Sequence, residues 1–325
     1  MARVLVTGGN GFIGGHLVGS LLERGDEVTV YDGAPPAGGE TAAGARFVEG
    51  DVRDADRLGA AMRGVELVYH LAAVVGVDRY LSRPLDVIDI NFSGTRTVLD
   101  LACRTDARVV VASTSEVFGK NPAVPWAEDG DRVLGPTSAN RWTYSSSKAL
   151  AEHMTFAFAA QHGLEATVVR YFNVYGPGQR PAYIVSRSVH RALNGLPPVV
   201  YDRGGQTRCF TYIEDAVAGT VLAGTMPGAA GEAFNLGSES ESTVGEVVDL
   251  VVELTGVATG TAAADTAAAY GRAYEDLARR VPLTTKARTV LGWKCETPLR
   301  EGLERTIAWA RATPWWLELP DSGAG

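Results

Sequence analysis

The stretch that most constrains the fold is the glycine-rich sequence GGNGFIG at residues 8–14. It follows a β-branched run at residues 3–7 that predicts a buried parallel strand, and it precedes apolar residues at helical spacing in residues 17–22. Glycines at such a junction permit a tight turn, close backbone approach to a pyrophosphate and close packing of the helix, whose amino terminus meets the phosphates. The segment therefore predicts a dinucleotide-binding turn, although a turn without a ligand would use the same glycines.

The residues after the second predicted strand discriminate between two dinucleotides. Residues 27–31, EVTVY, predict that strand, and Asp32 ends it, about 20 residues beyond the glycines. A carboxylate at this position binds the ribose diol of an adenosine. Residues 33–36 contain no Arg or Lys that could bind a 2′-phosphate, so the sequence favours NAD over NADP.

Strand-like and helix-like segments alternate through the first half of the chain, which predicts an α/β fold with a Rossmann-like, doubly wound parallel sheet. A third strand at residues 47–52 contains Asp51, which either borders the adenine or caps the helix predicted at residues 54–62. A fourth strand at residues 66–71 contains His70, whose apolar neighbours favour a core histidine over a ligand. Two alanines follow it and are small enough to let a cofactor pass.

A second group of polar residues follows the apolar run at residues 107–112, which predicts another buried strand. The hydroxyl of Thr114 and the carboxylate of Glu116 come directly after this run. They are therefore expected at the carboxyl end of a strand, where open α/β sheets bind their ligands.

Tyr144 and Lys148 stand four residues apart on a helix predicted to reach about residue 162, so both project from one face. A phenol with a pKa near 10 is a poor base at neutral pH, but a nearby ammonium group and a cationic nicotinamide favour its phenolate. The spacing alone is common, and a surface tyrosine beside a solvated lysine would also produce it. Together with the glycine turn, Asp32 and Thr114, it becomes a strong signal for redox chemistry.

Charge and cysteine content limit the partners of the chain. The formal net charge of −8 argues against binding to nucleic acid or to an anionic membrane. The three cysteines are far apart and no cluster of metal ligands is visible, so we expect neither a disulfide nor a metal site. Without an apolar leader or a run long enough to span a bilayer, the chain is expected to be cytoplasmic.

These motifs resemble the extended short-chain dehydrogenase/reductase family of nucleotide-sugar enzymes, with further matches at RYFNVYGP (170–177), QTRCFTYIED (206–215) and NLG (235–237). The resemblance implies NAD as cofactor, a UDP-sugar as substrate and a homodimer. It also implies a Rossmann domain over residues 1–172, to which some later segments return, and a smaller, interleaved C-terminal substrate domain over residues 173–325. In that second half we expect a helix at 184–194, a short strand at 197–201 and a loop over 256–269. The tail at 314–325 is expected to be frayed, unless Trp315 and Trp316 pack against the body of the protein.

The resemblance also assigns residues to the ligands. For the cofactor it implies Gly8, Gly11, Phe12, Ile13, Gly14, Asp32, Asp51, Val52, Leu71, Ala72, Ala73, Tyr144 and Lys148. For the substrate it implies Ser115, Asn173, Arg208, Tyr274 and Arg280. Asn173 and Arg208 would contact the diphosphate, unless they are a turn-forming Asn and a surface Arg. One family arginine is replaced by Tyr183, for which Arg180 or Arg187 could compensate.

The finer pattern is similar to UDP-glucuronic acid decarboxylases, both the UDP-xylose synthases and the aminoarabinose-pathway type. TSEVFG (114–119), RWTYSSSK (141–148) and the late YGRAYED (270–276) and RRVP (279–282) carry this likeness. It implies a set of catalytic residues: Thr114, Glu116, Tyr144, Lys148 and Arg280. Oxidation at C4″ would create a β-keto acid that loses CO₂ to give UDP-4-keto-pentose, UDP-xylose or both, with Glu116 relaying a proton. The pair of Glu116 with Arg280 could also be a structural salt bridge.

Three other functions are weighed against this one. The related 4,6-dehydratases carry an aspartate where this chain has Ser115, and a hydroxyl is a poor proton donor in that role. The 4-epimerases usually have a small or hydroxyl residue at the position of Glu116 and need no late arginine, so epimerisation of UDP-glucuronate or UDP-glucose is the second candidate. An NAD-binding sensor without turnover would typically lack the pair Tyr144 and Lys148.

Overall fold

The structure is a computed structural model that describes residues 1–36, 42–258, 260–266 and 277–321. Its strands are β1 (Arg3–Thr7), β2 (Glu27–Asp32), β3 (Arg46–Glu49), β4 (Leu67–His70), β5 (Arg108–Thr114), β6 (Ala166–Tyr171), β7 (Val174–Tyr175), β8 (Val199–Tyr201), β9 (Thr207–Cys209), β10 (Thr211–Tyr212), β11 (Ala233–Leu236), β12 (Glu241–Thr243), β13 (Ala262–Ala264) and β14 (Arg279–Arg280). Its α-helices are α1 (Phe12–Glu23), α2 (Ala55–Ala61), α3 (Val77–Ser82), α4 (Pro84–Thr105), α5 (Thr143–His162), α6 (Ile184–Leu193), α7 (Ile213–Thr225), α8 (Val244–Thr255), α9 (Leu299–Arg311) and α10 (Pro314–Leu317).

A parallel sheet of seven strands, in the order β11-β6-β5-β4-β1-β2-β3, forms the centre of the fold. Side chains alternate across it, because Val4 and Val6 of β1 join one hydrophobic core while Leu5 joins another on the opposite face. Helices cover both faces, which explains why these strands are almost continuously apolar. The predicted doubly wound α/β fold is confirmed.

The second half of the chain supplies the seventh strand of this sheet. β11 pairs in parallel with β6, with Ala233 opposite Val168 and Leu236 opposite Tyr171. The other second-half strands form three small sheets, β10-β7, β12-β9-β14 and β13-β8. The predicted loop over residues 256–269 is wrong in part, because β13 lies within it and pairs in parallel with β8.

The chain beyond α9 packs against α6 and the loop that precedes it. Trp316 is buried and donates a hydrogen bond from its indole nitrogen to the carbonyl of Gln179 at 2.9 Å. The Asp321 carboxylate accepts a hydrogen bond from Arg187 at 2.7 Å and pairs with Arg191, both on α6. The expectation of a frayed tail is therefore wrong for the described residues up to 321, and the alternative of packing against the body holds for Trp316, while Trp315 is exposed. Among the described helices, none combines the length and hydrophobicity needed to cross a membrane.

A buried ion pair joins α5 to the sheet. Glu152 on α5 is 2% exposed and accepts hydrogen bonds from Nε and Nη2 of Arg170 on β6, at 2.9 and 2.7 Å. The Ser113 hydroxyl donates to the same carboxylate, and Arg170 also donates to the carbonyl of Glu128 at 2.7 Å. Charges this deeply buried are tolerated because each has several hydrogen-bond partners.

Removing one member of this pair is expected to destabilise the fold strongly. Glu152→Ala should lower the free energy of unfolding by about 3–5 kcal/mol, because the Arg170 guanidinium would stay buried without its counter-ion. Urea denaturation followed by circular dichroism measures this. The control is Asp100→Ala, which breaks an exposed pair with Arg96 on α4 and should cost less than about 1 kcal/mol. Equal losses in the two variants would contradict the prediction.

Candidate active site

The glycine-rich turn joins β1 to α1 as predicted. Gly8 has φ +71°, and a Cβ there would lie 2.7 Å from the backbone nitrogen of Ala72. A Cβ on Gly14 would lie 2.1 Å from the carbonyl oxygen of Gly8. Gly11 is the N-cap of α1, and no side chain among the described residues caps this end of the helix. Larger residues at positions 8 or 14 would therefore collide with this backbone, so the turn that lines the adjoining cleft needs glycine at both positions.

The two predicted adenosine contacts lie at the carboxyl ends of β2 and β3. The Asp32 carboxylate accepts hydrogen bonds from the backbone nitrogens of Asn10 at 3.0 Å and Ala34 at 3.3 Å, which orders the loops on either side of it. The Asp51 carboxylate pairs with the Arg53 guanidinium at 2.6 Å and also lines the cleft. The cap of α2 is Asp54, which rules out the alternative role for Asp51 as the cap.

A single cleft of about 1360 Å³ runs along the carboxyl edge of the large sheet and collects the predicted site residues. Those that line it are Gly8, Gly11, Phe12, Ile13, Gly14, Asp32, Asp51, Val52, Leu71, Ala72, Ala73, Thr114, Ser115, Glu116, Tyr144, Lys148, Asn173, Arg208 and Arg280. Tyr274 lies outside the described residues.

His70 is a fully buried core residue, hydrogen-bonded with Thr7 and Thr95, as predicted. Within the described ranges, no cluster of three or more His, Cys, Asp or Glu side chains could hold a metal ion.

Tyr144 and Lys148 lie one helical turn apart at the start of α5, and both are buried. The Lys148 ammonium donates to the carbonyl of Ala112 at 2.9 Å, which fixes it against β5. Burial lowers the pKa of Lys148 to about 8, against the opposing effect of the Glu152 carboxylate. Burial also raises the pKa of Tyr144, while hydrogen bonding with Thr114 lowers it. The phenol is therefore protonated here and needs additional positive charge before it can act as a base.

Glu116 lies between two arginines, which together form what we call the Arg–Glu–Arg cluster (Arg141, Glu116, Arg280). One carboxylate oxygen accepts a hydrogen bond from Arg141 Nη1 at 2.6 Å, and the other pairs with Arg280 Nη2. The side chains of the three residues are 6%, 15% and 10% exposed, respectively. Burial would raise the pKa of Glu116, but the guanidinium groups of Arg280 and Arg141 outweigh it and hold the pKa at about 2. Glu116 is consequently ionised.

Three separate segments bring the cluster together. Glu116 is in a 3₁₀ turn that directly follows β5, and the Thr114 hydroxyl accepts from its backbone nitrogen at 3.2 Å. Arg141 is in a second 3₁₀ turn that leads into α5. Arg280 is on β14, opposite Arg208 of β9. Glu116 and Arg280 thus lie side by side, as the resemblance to the decarboxylases implied, although they are far apart in the chain.

Arg141 is the functional candidate that sequence reasoning missed. It lies in RWTYSSSK (141–148), one of the segments similar to the decarboxylases, but that similarity does not assign it a role. A signal was available, since Arg141 precedes Tyr144 by three residues and Ser145 by four. At helical spacing all three project towards the same region, and the Ser145 hydroxyl lies 3.5 Å from the Glu116 carboxylate.

Asn173 has the left-handed backbone φ of +40° and donates from its amide to the carbonyl of Cys209 at 3.1 Å. Arg208 is 3% exposed and donates to the carbonyls of Thr207 and Leu277, so it is not a surface arginine. Both residues line the cleft while holding neighbouring backbone in place.

Both proposed substitutes for the missing family arginine also line the cleft. Arg180 lies 5.7 Å over the ring of Tyr183, the N-cap of α6. Arg187 is bound to Asp321 and donates to the Tyr201 hydroxyl at 3.0 Å. Arg187 would therefore have to share its guanidinium between these partners and an anionic ligand.

Comparison with known proteins places this geometry in a family. Residues 4–237 match the NAD dependent epimerase/dehydratase family. The chain belongs to that family. It is 36% identical over 316 residues to the UDP-N-acetyl-alpha-D-glucosaminuronate decarboxylase of Bacillus cytotoxicus, an alignment that covers 95% of this chain and 98% of that one.

Two solved structures of similar proteins align with nearly the whole of this chain. The structure of MoeE5 in complex with UDP-glucuronic acid and NAD has a TM-score of 0.85 at 33% identity and covers 95% of this chain and 99% of that chain. The UDP-glucose 4-epimerase of Thermotoga maritima with UDP-glucose has a TM-score of 0.86 at 30% identity, with the same coverage of both chains.

As a member of the epimerase/dehydratase family, this protein is an enzyme that uses NAD, and its residues fit that cofactor. Gly8, Gly11 and Gly14 line the cleft at the start of α1, where no side chain among the described residues caps the helix and a pyrophosphate would be held. The carboxylate of Asp32 faces the same cleft, at the place where a ribose diol would be bound.

Adding a side chain inside the glycine-rich turn is expected to weaken NAD binding specifically. Gly14→Ala would place a methyl group 2.1 Å from the Gly8 carbonyl oxygen, so the turn must shift, and the dissociation constant for NAD should rise by about tenfold or more. Calorimetric titration with NAD measures this. Gly19→Ala on the same helix is the control, because a Cβ there meets nothing within 4 Å and NAD binding should be unchanged. Equal binding by both variants would contradict the prediction.

Proposed function

We propose that the protein oxidises UDP-glucuronic acid at C4″ and then removes the C6″ carboxyl group as CO₂. The observation that carries this proposal is the convergence of Glu116 and Arg280 in the same cleft as Thr114, Tyr144 and Lys148. A planar guanidinium suits a carboxylate through paired, charge-assisted hydrogen bonds. A C4″ epimerase has no comparable need for a buried arginine beside its redox residues.

The oxidation step would use the residues of α5 and β5. When bound, NAD⁺ supplies a hydride acceptor and a cationic ring. The Tyr144 phenolate accepts the proton of the C4″ hydroxyl, and the Thr114 hydroxyl holds that oxygen in place. Lys148 contributes positive charge that lowers the cost of ionising Tyr144. This support is present below the Lys148 pKa of about 8 and is lost as the pH rises through it.

The resulting 4-keto sugar acid would lose CO₂ by breaking the bond between C5″ and C6″. The electron pair moves into the C4″ carbonyl and gives an enolate, which the Tyr144 and Thr114 hydroxyls stabilise by hydrogen bonding. Arg280 orients the carboxylate before it leaves. A proton from solvent is then delivered to C5″ by a water molecule that the ionised Glu116 carboxylate would hold in place.

The second candidate is epimerisation at C4″ of UDP-glucuronate or UDP-glucose. It is supported by the similarity to the Thermotoga maritima epimerase over nearly the whole chain. The decarboxylase of Bacillus cytotoxicus supports the first candidate and widens the substrate class, since the sugar in its name is a 2-acetamido uronic acid. Both UDP-glucuronate and its 2-acetamido analogue therefore belong in the test.

The deciding experiment incubates the enzyme with NAD⁺ and each UDP-sugar and analyses the nucleotide products by mass spectrometry. Loss of about 44 mass units, the mass of CO₂, is expected if the hydride returns to the sugar and gives UDP-xylose, and loss of about 46 is expected if UDP-4-keto-pentose is released with reduced NAD. A product of unchanged mass would indicate epimerisation and contradict the proposal. UDP-glucose serves as the control that has no carboxylate to lose.

A further inference from the structure

The Arg–Glu–Arg cluster contains one arginine more than the proposed chemistry requires. Arg280 is the cation assigned to the substrate carboxylate, yet here it is bound to Glu116. Arg141 binds the other oxygen of the same carboxylate at 2.6 Å. Glu116 thus has two cationic partners, one on each oxygen, and can lose one without being left alone.

Burial makes this second partner important. The Glu116 side chain is 15% exposed, and moving Arg280 away from it would leave a buried carboxylate without compensation if Arg141 were absent. An unpaired buried charge is strongly unfavourable, so the group would take up a proton instead. Arg141 itself is held firmly, since its guanidinium lies 4.9 Å over the ring of Trp142, which is also buried.

Arg280 also has capacity for a new ligand. Its Nε is buried and has no hydrogen-bond partner among the residues that the structure describes, and its side chain lines the cleft. A guanidinium that rotates from Glu116 towards the cleft could offer two parallel N–H groups to an incoming carboxylate.

We propose that Arg141 is a positioning residue that keeps Glu116 in place and ionised while Arg280 exchanges the Glu116 carboxylate for the C6″ carboxylate of the substrate. The inference rests on the proposed function insofar as it takes Arg280 as the carboxylate ligand. Arg141 thereby favours sugars with an acid at C6″ over those with a hydroxymethyl group, although it need not contact the sugar. Among the residues that the structure describes, the groups that face Glu116 in the free enzyme are Arg141, Tyr144 and Ser145 around the start of α5, Thr114 on β5 and Arg280 on β14.

The test measures binding of UDP-glucuronate and UDP-glucose to NAD-loaded enzyme by calorimetry, in a Tyr144→Phe background that prevents turnover. Arg141→Met is expected to weaken UDP-glucuronate binding at pH 8 by about tenfold or more, while UDP-glucose binding changes less than about twofold. In this variant the exchange forces Glu116 to take up a proton, so the affinity for UDP-glucuronate should increase by up to about tenfold per pH unit on acidification. With Arg141 in place the slope should be much smaller, because its guanidinium still lowers the pKa of Glu116 after Arg280 has moved away.

Two further variants make the result decisive. Lys120→Met removes another positive charge, 5.6 Å from the centre of the Trp142 ring, and should leave the preference for UDP-glucuronate unchanged. Arg141→Lys should restore the flat pH dependence in part, because an ammonium can still hold Glu116 ionised. If Arg141→Met weakens both sugars equally, or leaves the pH dependence of UDP-glucuronate binding flat, the inference is overturned. Because binding is measured without turnover, an isobaric product from the active enzyme would contradict the decarboxylation alone.

Discussion

Changing Tyr144 to phenylalanine is expected to lower the rate of C4″ oxidation by about 10³-fold, because the change removes the group that accepts the hydroxyl proton. The fold should survive, since the substitution deletes one oxygen atom from a buried ring. The measurement is the rate at which the absorbance of reduced NAD appears after UDP-glucuronate is added, together with the rate of CO₂ release. Both should fall in parallel, since loss of CO₂ depends on the carbonyl that oxidation creates.

Tyr171→Phe provides the matched control for this prediction. Tyr171 is another tyrosine that lines the cleft, but its hydroxyl is hydrogen-bonded with that of Thr220 at 2.8 Å. Burial raises the pKa of Tyr171 to about 12, so it is as poor a base as the Tyr144 phenol in the free enzyme. Losing its hydroxyl should change the oxidation rate by less than about threefold, within the range of ordinary packing effects. A larger loss in Tyr171→Phe than in Tyr144→Phe would remove Tyr144 from its proposed role.

Changing Arg280 to methionine should separate the two half-reactions. Release of CO₂ is expected to fall by about 10²–10³-fold, the range seen when one preorganised donor is removed from a site of developing charge. Reduction of NAD should continue, because Thr114, Tyr144 and Lys148 lie on β5 and α5 and do not depend on β14 for their positions. The expected signature is therefore reduced NAD without a matching amount of CO₂.

The adjacent arginine supplies the control for this variant. Arg279 is largely exposed and pairs with Glu241 at 2.7 Å, on the other side of β14 from the cluster. Arg279→Met should leave the ratio of CO₂ to oxidised sugar unchanged. If Arg280→Met instead lowered both half-reactions by the same factor, Arg280 would be a structural partner of Glu116, and decarboxylation would lose its main support.

Much of the fold could be predicted because parallel strands that are buried on both faces appear in the sequence as continuous apolar runs. The runs at β1, β4 and β5 indicate strands in this way, and helical spacing predicts the end of α5 at the observed residue, His162. The three alanines of β13 carry no such signal, since alanine has little preference for strands. That strand exists because β8 offers a backbone edge to pair with, which is a tertiary effect.

The site residues likewise fall into those that a local sequence pattern predicts and those that only the folded structure brings together. Tyr144 and Lys148 could be placed together from helical spacing, and Asp32 from its distance to the glycine turn. No periodicity links Glu116 to Arg280, so their meeting could be expected only from the resemblance to a family. Buried charges such as Glu152 and Arg170 were not anticipated, because a charged residue in a sequence is ordinarily read as exposed.

The return of β11 to the large sheet bears on how enzymes of this architecture can be recombined. A chimera that exchanged everything after residue 172 would import the strand at residues 233–236 along with the sugar-binding parts, and that strand must fit against the β6 of its new host. A cut at the same point would bare the edge of β6, whose backbone groups could then pair with other chains. Grafting a new sugar preference is therefore better attempted by exchanging the segments that border the cleft, such as residues 176–201, and leaving the sheet in one piece.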